Sequence, residues 1–447
     1  MQNDVIVIGA GAAGLACAAT LKSRGLKFSI LEARSRPLGR VMTIRPLPSR
    51  IPIELGAEFV HDAPSELMKV SENSNLPLME VGDSHLVKQA SRLKEKPGFF
   101  EHIDEILPKN IVRKDESIQE WLKKKNLSKK WAGLFKNFIE GFHAADLNRM
   151  GRNGLVSATN QEEISLNGST MFRVPFGYDQ LLKVWAQGID PRHFHFHALV
   201  TQVAWEKGQV RVSYRSTLNG KERTVTARKL VVTIPIGCLK RGSIAFEPRL
   251  LEIEKNLEFM EMGHVQRLVF QFQNRFWEKL SKETPPSFFH MTGETAFQTW
   301  WTRAPLRSNF LTAWCGGPKA EQMASWGEKM LISRALLSLS ELTGESLRNL
   351  NQNLVAVYHH NWSRDPLAFG AYSYIGKNGL DAAARLSHPI EETIYFAGEG
   401  LQMDASRGTV HGAIRSGQAA GNLILRSFQK TKKNSSKDRP SAHFLSL

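Results

Sequence analysis

The segment that most constrains the fold of this chain is VIVIGAGAAGLACAATLKSRGLKFSILEAR, which runs from Val5 to Arg34. It contains three glycines at G-x-G-x-x-G spacing, which are Gly9, Gly11 and Gly14. In a dinucleotide-binding turn the first glycine permits a tight bend, the second lets a pyrophosphate approach the backbone, and the third allows close helix–strand packing. Three glycines alone are weak evidence for such a turn, so the prediction depends on the elements on either side of them.

Both sides of the glycines carry the patterns that such a turn requires. Residues 5–8 form an apolar, β-branched run typical of a buried parallel strand, and residues 27–31 are predicted to form a second strand. Small and helix-favouring residues at 12–24 predict a helix that Gly25 ends, with its N-terminal N–H groups directed at the phosphates. Glu32 follows the second strand and is placed to accept the ribose hydroxyls. The segment therefore predicts a Rossmann-type dinucleotide-binding unit.

Length and cysteine content limit the class of protein. A chain of 447 residues is long enough for two domains or one large α/β body. Three widely separated cysteines, Cys17, Cys238 and Cys315, provide neither a disulfide framework nor a CxxC pair. The first strand begins close to the N-terminus, and no apolar run reaches the roughly 18 residues of a membrane span. We therefore expect a soluble protein of a reducing compartment, the cytoplasm.

The net charge of +16 is concentrated in two segments. Residues 121–138 alternate lysines with large apolar residues, as an amphipathic helix does. Attachment to an anionic membrane or to nucleic acid is one interpretation. A solvated face over a packed apolar stripe is the favoured one, and no specific nucleic-acid partner or transmembrane anchor is expected. Residues 429–447 form a basic tail that we expect to be disordered.

The order of the predicted elements indicates two interleaved domains. Residues 83–189 are expected to be mostly helical, and β-rich stretches follow from about residue 194. A strand and a long helix near the C-terminus resemble the first elements of the chain, so both ends are assigned to one sheet. The prediction is a dinucleotide-binding domain of residues 1–82, 190–250 and 385–428, and a substrate domain of residues 83–189 and 251–384. No second G-x-G-x-x-G follows a strand, so electrons are expected from the substrate, unless the bound dinucleotide is NAD.

Several further motifs carry a family resemblance. They include LGRVMT at 38–43, IELGAEFVH at 53–61, FAGEG at 396–400 and GTVHGAIRSGQAA at 408–420. With these segments the chain resembles the flavin amine oxidases, which include monoamine, polyamine and L-amino-acid oxidases and flavin histone demethylases. The resemblance implies an α/β fold in which a Rossmann-type FAD-binding domain is interleaved with an α+β substrate domain. It is loose only over about residues 83–166.

The resemblance also implies the cofactor site. Arg40 would neutralise phosphate charge, Val200 would offer backbone groups to the adenine, and Glu399 would bond the ribitol. Covalent members of the family attach the flavin through a cysteine near the C-terminal helix, where this chain has none, so non-covalent FAD is expected. The residues expected to hold FAD are Gly9, Gly11, Ala12, Ala13, Gly14, Glu32, Ala33, Arg34, Gly39, Arg40, Gly56, Ala57, Glu58, Phe59, Val200, Gly398, Glu399, Thr409 and Val410.

The chemistry that the resemblance implies is oxidation of an amine. A hydride passes from the carbon next to nitrogen to flavin N5, the imine hydrolyses, and oxygen or another acceptor reoxidises the flavin. Tyr372 falls on an aromatic position in front of the flavin, although ordinary strand packing is the alternative. Thr409 stands where monoamine oxidases carry a second aromatic residue. His61 is expected to orient or deprotonate the amine, with a structural role equally open.

Arg267 stands ten residues before Trp277, where family members commonly carry a lysine. Because arginine stays charged, it would bind a substrate carboxylate or disfavour a polycationic amine. The alternative, weighed equally, is that Arg267 supports the flavin or an ion pair. Glu58, beside the flavin, is expected to pair with a cationic substrate.

Two other functions stay open from the sequence. One is an FAD-dependent desaturase or dehydrogenase of a non-amine substrate, and the other is a flavin-stabilised binding protein without catalysis. The alternation HFHFH, with His193, His195 and His197, suggests a metal cluster, but an exposed strand face is the better interpretation and no metal is expected.

Overall fold

A computed structural model describes residues 3–47, 50–82, 84–89, 92–96, 103–159, 170–281, 286–291 and 293–437. The helices in this part of the chain are α1 Ala12–Lys22, α2 Ser65–Asn73, α3 Ile118–Lys123, α4 Lys129–Phe142, α5 Arg152–Thr159, α6 Tyr178–Gln187, α7 Ile236–Lys240, α8 Leu251–Leu257, α9 Gly317–Met323, α10 Glu328–Thr343, α11 Leu347–Asn353, α12 Ala382–Ser387 and α13 Val410–Lys437. The strands are β1 Asn3–Ile8, β2 Phe28–Leu31, β3 Thr43–Ile44, β4 Ile53–Glu54, β5 Phe59–His61, β6 Met79–Glu80, β7 His85–Gln89, β8 Arg92–Glu95, β9 Met171–Arg173, β10 Phe194–His195, β11 Ala198–Glu206, β12 Gln209–Ser216, β13 Glu222–Val232, β14 Ala245–Glu247, β15 Met260–Met262, β16 Val265–Phe272, β17 Phe288–His290, β18 Thr299–Trp301, β19 Phe310–Gly316, β20 Leu354–His359, β21 Ser373–Ile375 and β22 Ile394–Phe396.

The predicted strand–helix–strand unit at the N-terminus is present as β1, α1 and β2. β1 pairs in parallel with β2 on one side and with β13 on the other, and β22 adds to β13 in the same direction. Alternate residues of β1 face opposite sides of this sheet. Val5 and Val7 pack against α1 and α13, while Ile6 and Ile8 belong to the core on the other face. Both faces are therefore buried, which explains why the sequence of this strand is continuously apolar.

A second, seven-stranded sheet has the strand order β20-β16-β19-β18-β17-β7-β8. Its strands come from residues 85–95 and 265–359, whereas the strands of the eight-stranded sheet come from residues 3–31, 194–247 and 394–396. Strand membership thus alternates along the chain between the two sheets, and the exact domain boundaries stay a prediction.

The expectation that residues 83–189 are mostly helical is wrong for part of the segment. Strands β7 and β8 form a hairpin, and β7 pairs with β17, about 200 residues later in the chain. A pairing at this separation leaves no local signal, so the helical pattern of the neighbouring segments dominated the prediction.

The histidines of HFHFH do not share one strand face, as the sequence suggested. His193 lies in a 3₁₀ turn, only 194–195 forms a strand, and His197 has a left-handed backbone with φ of 57°. Within the described ranges, no group of three or more His, Cys, Asp or Glu residues is arranged to hold a metal.

The basic segment 121–138 folds as α3 and α4 with a break between them, not as one helix. Its apolar residues Trp121, Leu134 and Phe135 are buried in a common core, in keeping with a packed stripe. The expected disorder of the C-terminal tail is wrong for residues 429–437, because α13 extends to Lys437. Residues 438–447 lie outside the described residues. None of the helices described here is long and apolar enough to cross a membrane.

Candidate FAD and substrate site

One cavity of about 990 Å³ reaches from the glycine-rich turn to the seven-stranded sheet. Gly9 follows β1, Glu32 follows β2, Thr233 follows β13 and Gly398 lies just after β22, and all four residues line the cavity. These strands are parallel, so the cavity opens at their carboxyl ends, which is where open α/β sheets bind ligands.

With one exception, the predicted site residues line this cavity. Those that do are Gly9, Gly11, Ala12, Ala13, Glu32, Ala33, Arg34, Gly39, Arg40, Gly56, Ala57, Glu58, Phe59, His61, Val200, Arg267, Tyr372, Gly398, Glu399, Thr409 and Val410. Gly14 is the exception, since it faces the strand beneath the turn.

The three glycines differ in what surrounds them. A Cβ atom built on Gly14 would lie 2.0 Å from the carbonyl oxygen of Gly9, so any side chain there would push α1 away from the turn. Gly9 itself has φ of 99°, which favours glycine. A Cβ atom on Gly11 would meet nothing within 4 Å, and no described side chain caps α1 at this residue. The positive end of the helix is therefore open to the cavity, as a pyrophosphate requires.

Glu32 is held in place by backbone donors. Its two carboxylate oxygens accept hydrogen bonds from Ala10 N and Arg34 N, each at 2.8 Å. Burial raises the pKa of this carboxyl, and the two N–H donors oppose the rise. A carboxylate has about four acceptor positions, so Glu32 keeps capacity for ribose hydroxyls. Arg34 Nη2 donates to both carboxylate oxygens of Asp365, at 3.0 and 2.9 Å.

Arg40 and Glu399 are paired with each other. Arg40 Nη1 donates to Glu399 Oε1 at 2.9 Å and to the carbonyl of Ala371 at 2.7 Å. Glu399 Oε2 accepts a hydrogen bond from the hydroxyl of Ser373 at 2.7 Å. The two side chains lie at the cavity wall as predicted, but neither was predicted to have the other as its partner.

Arg267 and Glu58 belong to one buried ionic cluster. The guanidinium groups of Arg173 and of Arg267 both bind the carboxylate of Glu58. This carboxylate also accepts a hydrogen bond from Trp301 Nε1 at 3.0 Å. Arg267 Nη1 donates to the carbonyl of Gly56 at 2.7 Å. The exposed side-chain fractions of Arg173, Arg267 and Glu58 are 3%, 6% and 8%.

This geometry bears on the two residues whose roles the sequence left open. Arg267 forms an ion pair, and although burial lowers its pKa to about 10, it stays charged at neutral pH. Two arginines bind the carboxylate of Glu58, and its pairing with a cationic substrate stays a prediction.

The part of the cavity next to the seven-stranded sheet is aromatic, and we call it the substrate lobe. It is bordered by Phe59, His61, Phe138, Phe142, His143, Phe288, Trp301, Trp314 and Tyr372. Phe138 and Phe142 were missed as site residues, although the apolar stripe on α4 is their sequence signal. Trp300, by contrast, is fully buried in the core of the second sheet.

The C-terminal turn of α4 fixes two of the rings in this lobe. The hydroxyl of Tyr372 donates to the carbonyl of Phe142 at 2.7 Å, and Trp314 Nε1 donates to the carbonyl of Gly141 at 2.8 Å. Both carbonyls belong to the last turn of the helix, where no further helical N–H is available to them. The positions of the Tyr372 and Trp314 rings are therefore set by their hydrogen bonds to the C-terminal end of α4.

Two histidines of the lobe are neutral at physiological pH. Burial lowers the pKa of His61 to about 4, and it lowers that of His143 to about 4 with a further contribution from Arg407. His61 packs edge-on against Phe142 at a centroid distance of 5.8 Å. A neutral imidazole can accept a hydrogen bond, but with this pKa it is a weak proton acceptor.

Thr409 caps the last helix. Its hydroxyl accepts a hydrogen bond from Gly412 N at 3.0 Å and donates one to the carbonyl of Ser406 at 2.6 Å. Because Thr409 and Val410 line the cavity, the positive end of the 28-residue helix α13 faces it. The cavity thus has two helix N-termini, an acidic residue after β2 and a wide aromatic lobe, which suits a dinucleotide with a planar ring system.

Comparisons with known proteins agree with this geometry. A family model described as flavin containing amine oxidoreductase matches residues 12–425. Lysine-specific histone demethylase 2 of Homo sapiens is 26% identical over 462 residues, which cover 95% of this chain and 53% of the demethylase. The chain thus spans about half the length of that relative. Polyamine oxidase 2 of Arabidopsis thaliana is 27% identical over 461 residues, which cover 93% of this chain and 87% of the oxidase.

Solved structures share the fold. Cyclohexylamine oxidase from Brevibacterium oxydans IH-35A matches with a TM-score of 0.80 and 19% identity over 96% of this chain and 100% of that one. Wild-type putrescine oxidase bound to putrescine matches with a TM-score of 0.78 and 19% identity over 95% of this chain and 99% of that one. This likeness confirms the predicted two-domain fold. The chain belongs to the flavin-containing amine oxidoreductases, and FAD is the dinucleotide for which its cavity is built.

Proposed function

We propose that this protein oxidises a C–N bond of a small amine with non-covalent FAD, and that oxygen or another acceptor then reoxidises the cofactor. Bound FAD supplies a hydride acceptor for the carbon next to the amine nitrogen, and the resulting imine hydrolyses. The observation that carries this proposal is the single cavity, in which the glycine-rich turn and the aromatic substrate lobe are continuous.

The residues of the chain bind, orient and shield the reactants. The N-terminus of α1 would hold the pyrophosphate, and Glu32 would hold the adenosine ribose. Tyr372 and the rings of the substrate lobe would exclude water and position the amine. Thr409 would act through the start of α13, since its hydroxyl is occupied in capping that helix.

His61 and Arg267 have different roles in this proposal. His61 would orient the amine by accepting a hydrogen bond, because a pKa of about 4 does not suit removal of a proton from an alkylammonium group. Arg267 would hold a fixed positive charge at the cavity wall and position Gly56 and Glu58.

The cysteines support non-covalent attachment of FAD. Cys238 lines the cavity, but burial raises the pKa of its thiol to about 11, so the thiolate that would attack a flavin is scarce at neutral pH. Cys17 is fully buried in the core beneath α1. Denaturation with acid is therefore expected to release all of the FAD into the supernatant.

Product analysis tests the activity directly. The FAD-loaded protein is incubated with mono-, di- and polyamines and with amino acids, and the carbonyl product is measured against the amine consumed. Equal amounts in air, with hydrogen peroxide formed, indicate an oxidase, whereas product formed only with an added acceptor indicates a dehydrogenase. Apoprotein is the control. Reduction of FAD only by a non-amine donor would instead support a desaturase, and a flavin that no donor reduces would indicate a binding protein.

A further inference from the structure

The charged groups around the substrate lobe bear on which class of amine it takes. We propose that this lobe takes a monoamine with an apolar body and excludes diamines and polyamines. This inference rests on the proposed function and names the substrate class of the same site.

The first argument is the state of Glu58. Its carboxylate lies at the edge of the lobe, and two buried guanidinium groups bind it. Arg303 lies near Arg173 and Arg267, and the buried carboxylate of Glu54 acts on all three guanidinium groups, so this region holds three arginines and two glutamates. A second ammonium group that entered here would meet an excess of positive charge and no uncompensated partner.

The second argument concerns the other carboxylates of the cavity. Glu32 accepts backbone hydrogen bonds beside the glycine turn, and Glu399 is paired with Arg40. Asp62 and Asp104 also line the cavity, and each already interacts with another residue of the protein. The carboxylates of Glu32, Glu58 and Glu399 are thus already bound by donors within the chain.

The third argument concerns the aromatic faces. Arg173 lies 4.6 Å from the ring centroid of Phe59, and Arg267 lies 5.7 Å from that of Trp301. Two rings that would attract a substrate cation therefore already hold guanidinium groups. The remaining rings and the neutral His61 and His143 suit an apolar body with a single amine nitrogen.

Equilibrium binding to the FAD-loaded protein tests the selection. The monoamine probe is α,α-dimethylbenzylamine, which has no hydrogen on the carbon that carries nitrogen and so binds without being oxidised. The polyamine probe is spermidine, and both are measured by calorimetry without oxygen at equal ionic strength. We expect the monoamine to bind about tenfold more tightly or better. Monoamine binding that is equal to or weaker than that of spermidine would overturn the inference.

Reduction of the flavin separates this inference from the proposed function. Reduction by benzylamine but not by spermidine supports both. Reduction by spermidine alone overturns the inference but still supports amine oxidation. Reduction by neither amine counts against the proposed function, and the inference is then decided by the binding comparison.

A carboxylate placed in the lobe should weaken the preference for the monoamine. In Phe142→Glu the new side chain faces the cavity, and Phe142→Gln is the neutral control of equal size. We expect the ratio of spermidine to monoamine affinity to be about tenfold higher in the Glu variant than in the Gln variant. An unchanged ratio in two folded variants would contradict the proposal.

Discussion

Gly14 illustrates how much a single residue determines in this fold. Its position allows the carbonyl of Gly9 to approach α1, and the same contact places the N-terminus of the helix at the cavity. The role of this glycine was predictable from sequence, because the spacing of the motif encodes a local turn. Glu58 was not predictable in the same way, because its partners Arg173 and Trp301 lie 115 and 243 residues away.

Substitution Gly14→Ala should weaken FAD binding and lower stability. The added methyl group would lie 2.0 Å from Gly9 O, and overpacking of this kind costs about 1–3 kcal/mol or more. The control is Gly133→Ala in α4, where a Cβ atom meets nothing within 4 Å and alanine improves helix propensity by about 1 kcal/mol. FAD affinity and the free energy of unfolding are measured for both variants. Equal FAD affinity in the two would contradict the assigned role.

Replacing Glu58 with glutamine should lower the free energy of unfolding by about 3 kcal/mol, because two buried guanidinium groups lose their counter-charge. Asp190→Asn is the matched control, since it removes an exposed pair with Arg192 and is expected to leave the unfolding midpoint unchanged. Urea unfolding measures both variants. A midpoint for Glu58→Gln that equals that of wild type would show that the cluster does not need its carboxylate.

At the scale of elements, helix ends define the site. The N-termini of α1 and α13 face the cavity where FAD binds, and the C-terminal turn of α4 holds Tyr372 and Trp314 in the substrate lobe. The sequence predicted α1 and the start of α13 because both follow recognisable motifs. It did not predict that α4 ends at the lobe, since the capping donors of that helix lie on other, distant elements.

Thr409→Ala should destabilise the protein by about 1 kcal/mol and weaken FAD binding, because α13 loses its N-terminal cap. Thr409→Ser keeps the hydroxyl and should restore most of both quantities. Thermal unfolding and fluorescence titration with FAD measure the two effects. An alanine variant that matches the serine variant would show that capping at Thr409 is unimportant for the site.

At the scale of the whole molecule, two sheets enclose one cavity. Several histidines are buried in the same structure. It was predictable that both ends of the chain contribute strands to the eight-stranded sheet, because the strand and helix patterns at each terminus match a dinucleotide-binding unit. The β7–β8 hairpin was not, because its partner strand β17 lies far along the chain. Local patterns therefore determined the FAD half of the molecule better than the substrate half.

Burial of histidines makes the stability depend on pH. The pKa values of His61, His143, His359 and His411 are lowered by burial to about 4, below the usual 6.5. Below pH 6.5 the unfolded chain binds protons that the native state does not bind, so the free energy of unfolding falls as pH decreases towards 4. Each such group contributes about 1.4 kcal/mol per pH unit in that window.

Denaturant unfolding at pH 7.5 and 5.5 measures this slope. His359→Gln, which lies away from the cavity, should make the slope shallower, whereas His388→Gln at an exposed position should leave it unchanged. Identical slopes for wild type and His359→Gln would contradict the assignment of a neutral buried imidazole.

The central claim is that one cavity brings FAD and an amine together. Its most direct test is the visible spectrum of the FAD-loaded protein, titrated with benzylamine in the absence of oxygen. The account predicts loss of the oxidised-flavin band at about 450 nm with one flavin reduced per chain, and recovery of the band when an acceptor is admitted. An oxidised-flavin band that persists with benzylamine and with every other amine tested would contradict the central claim.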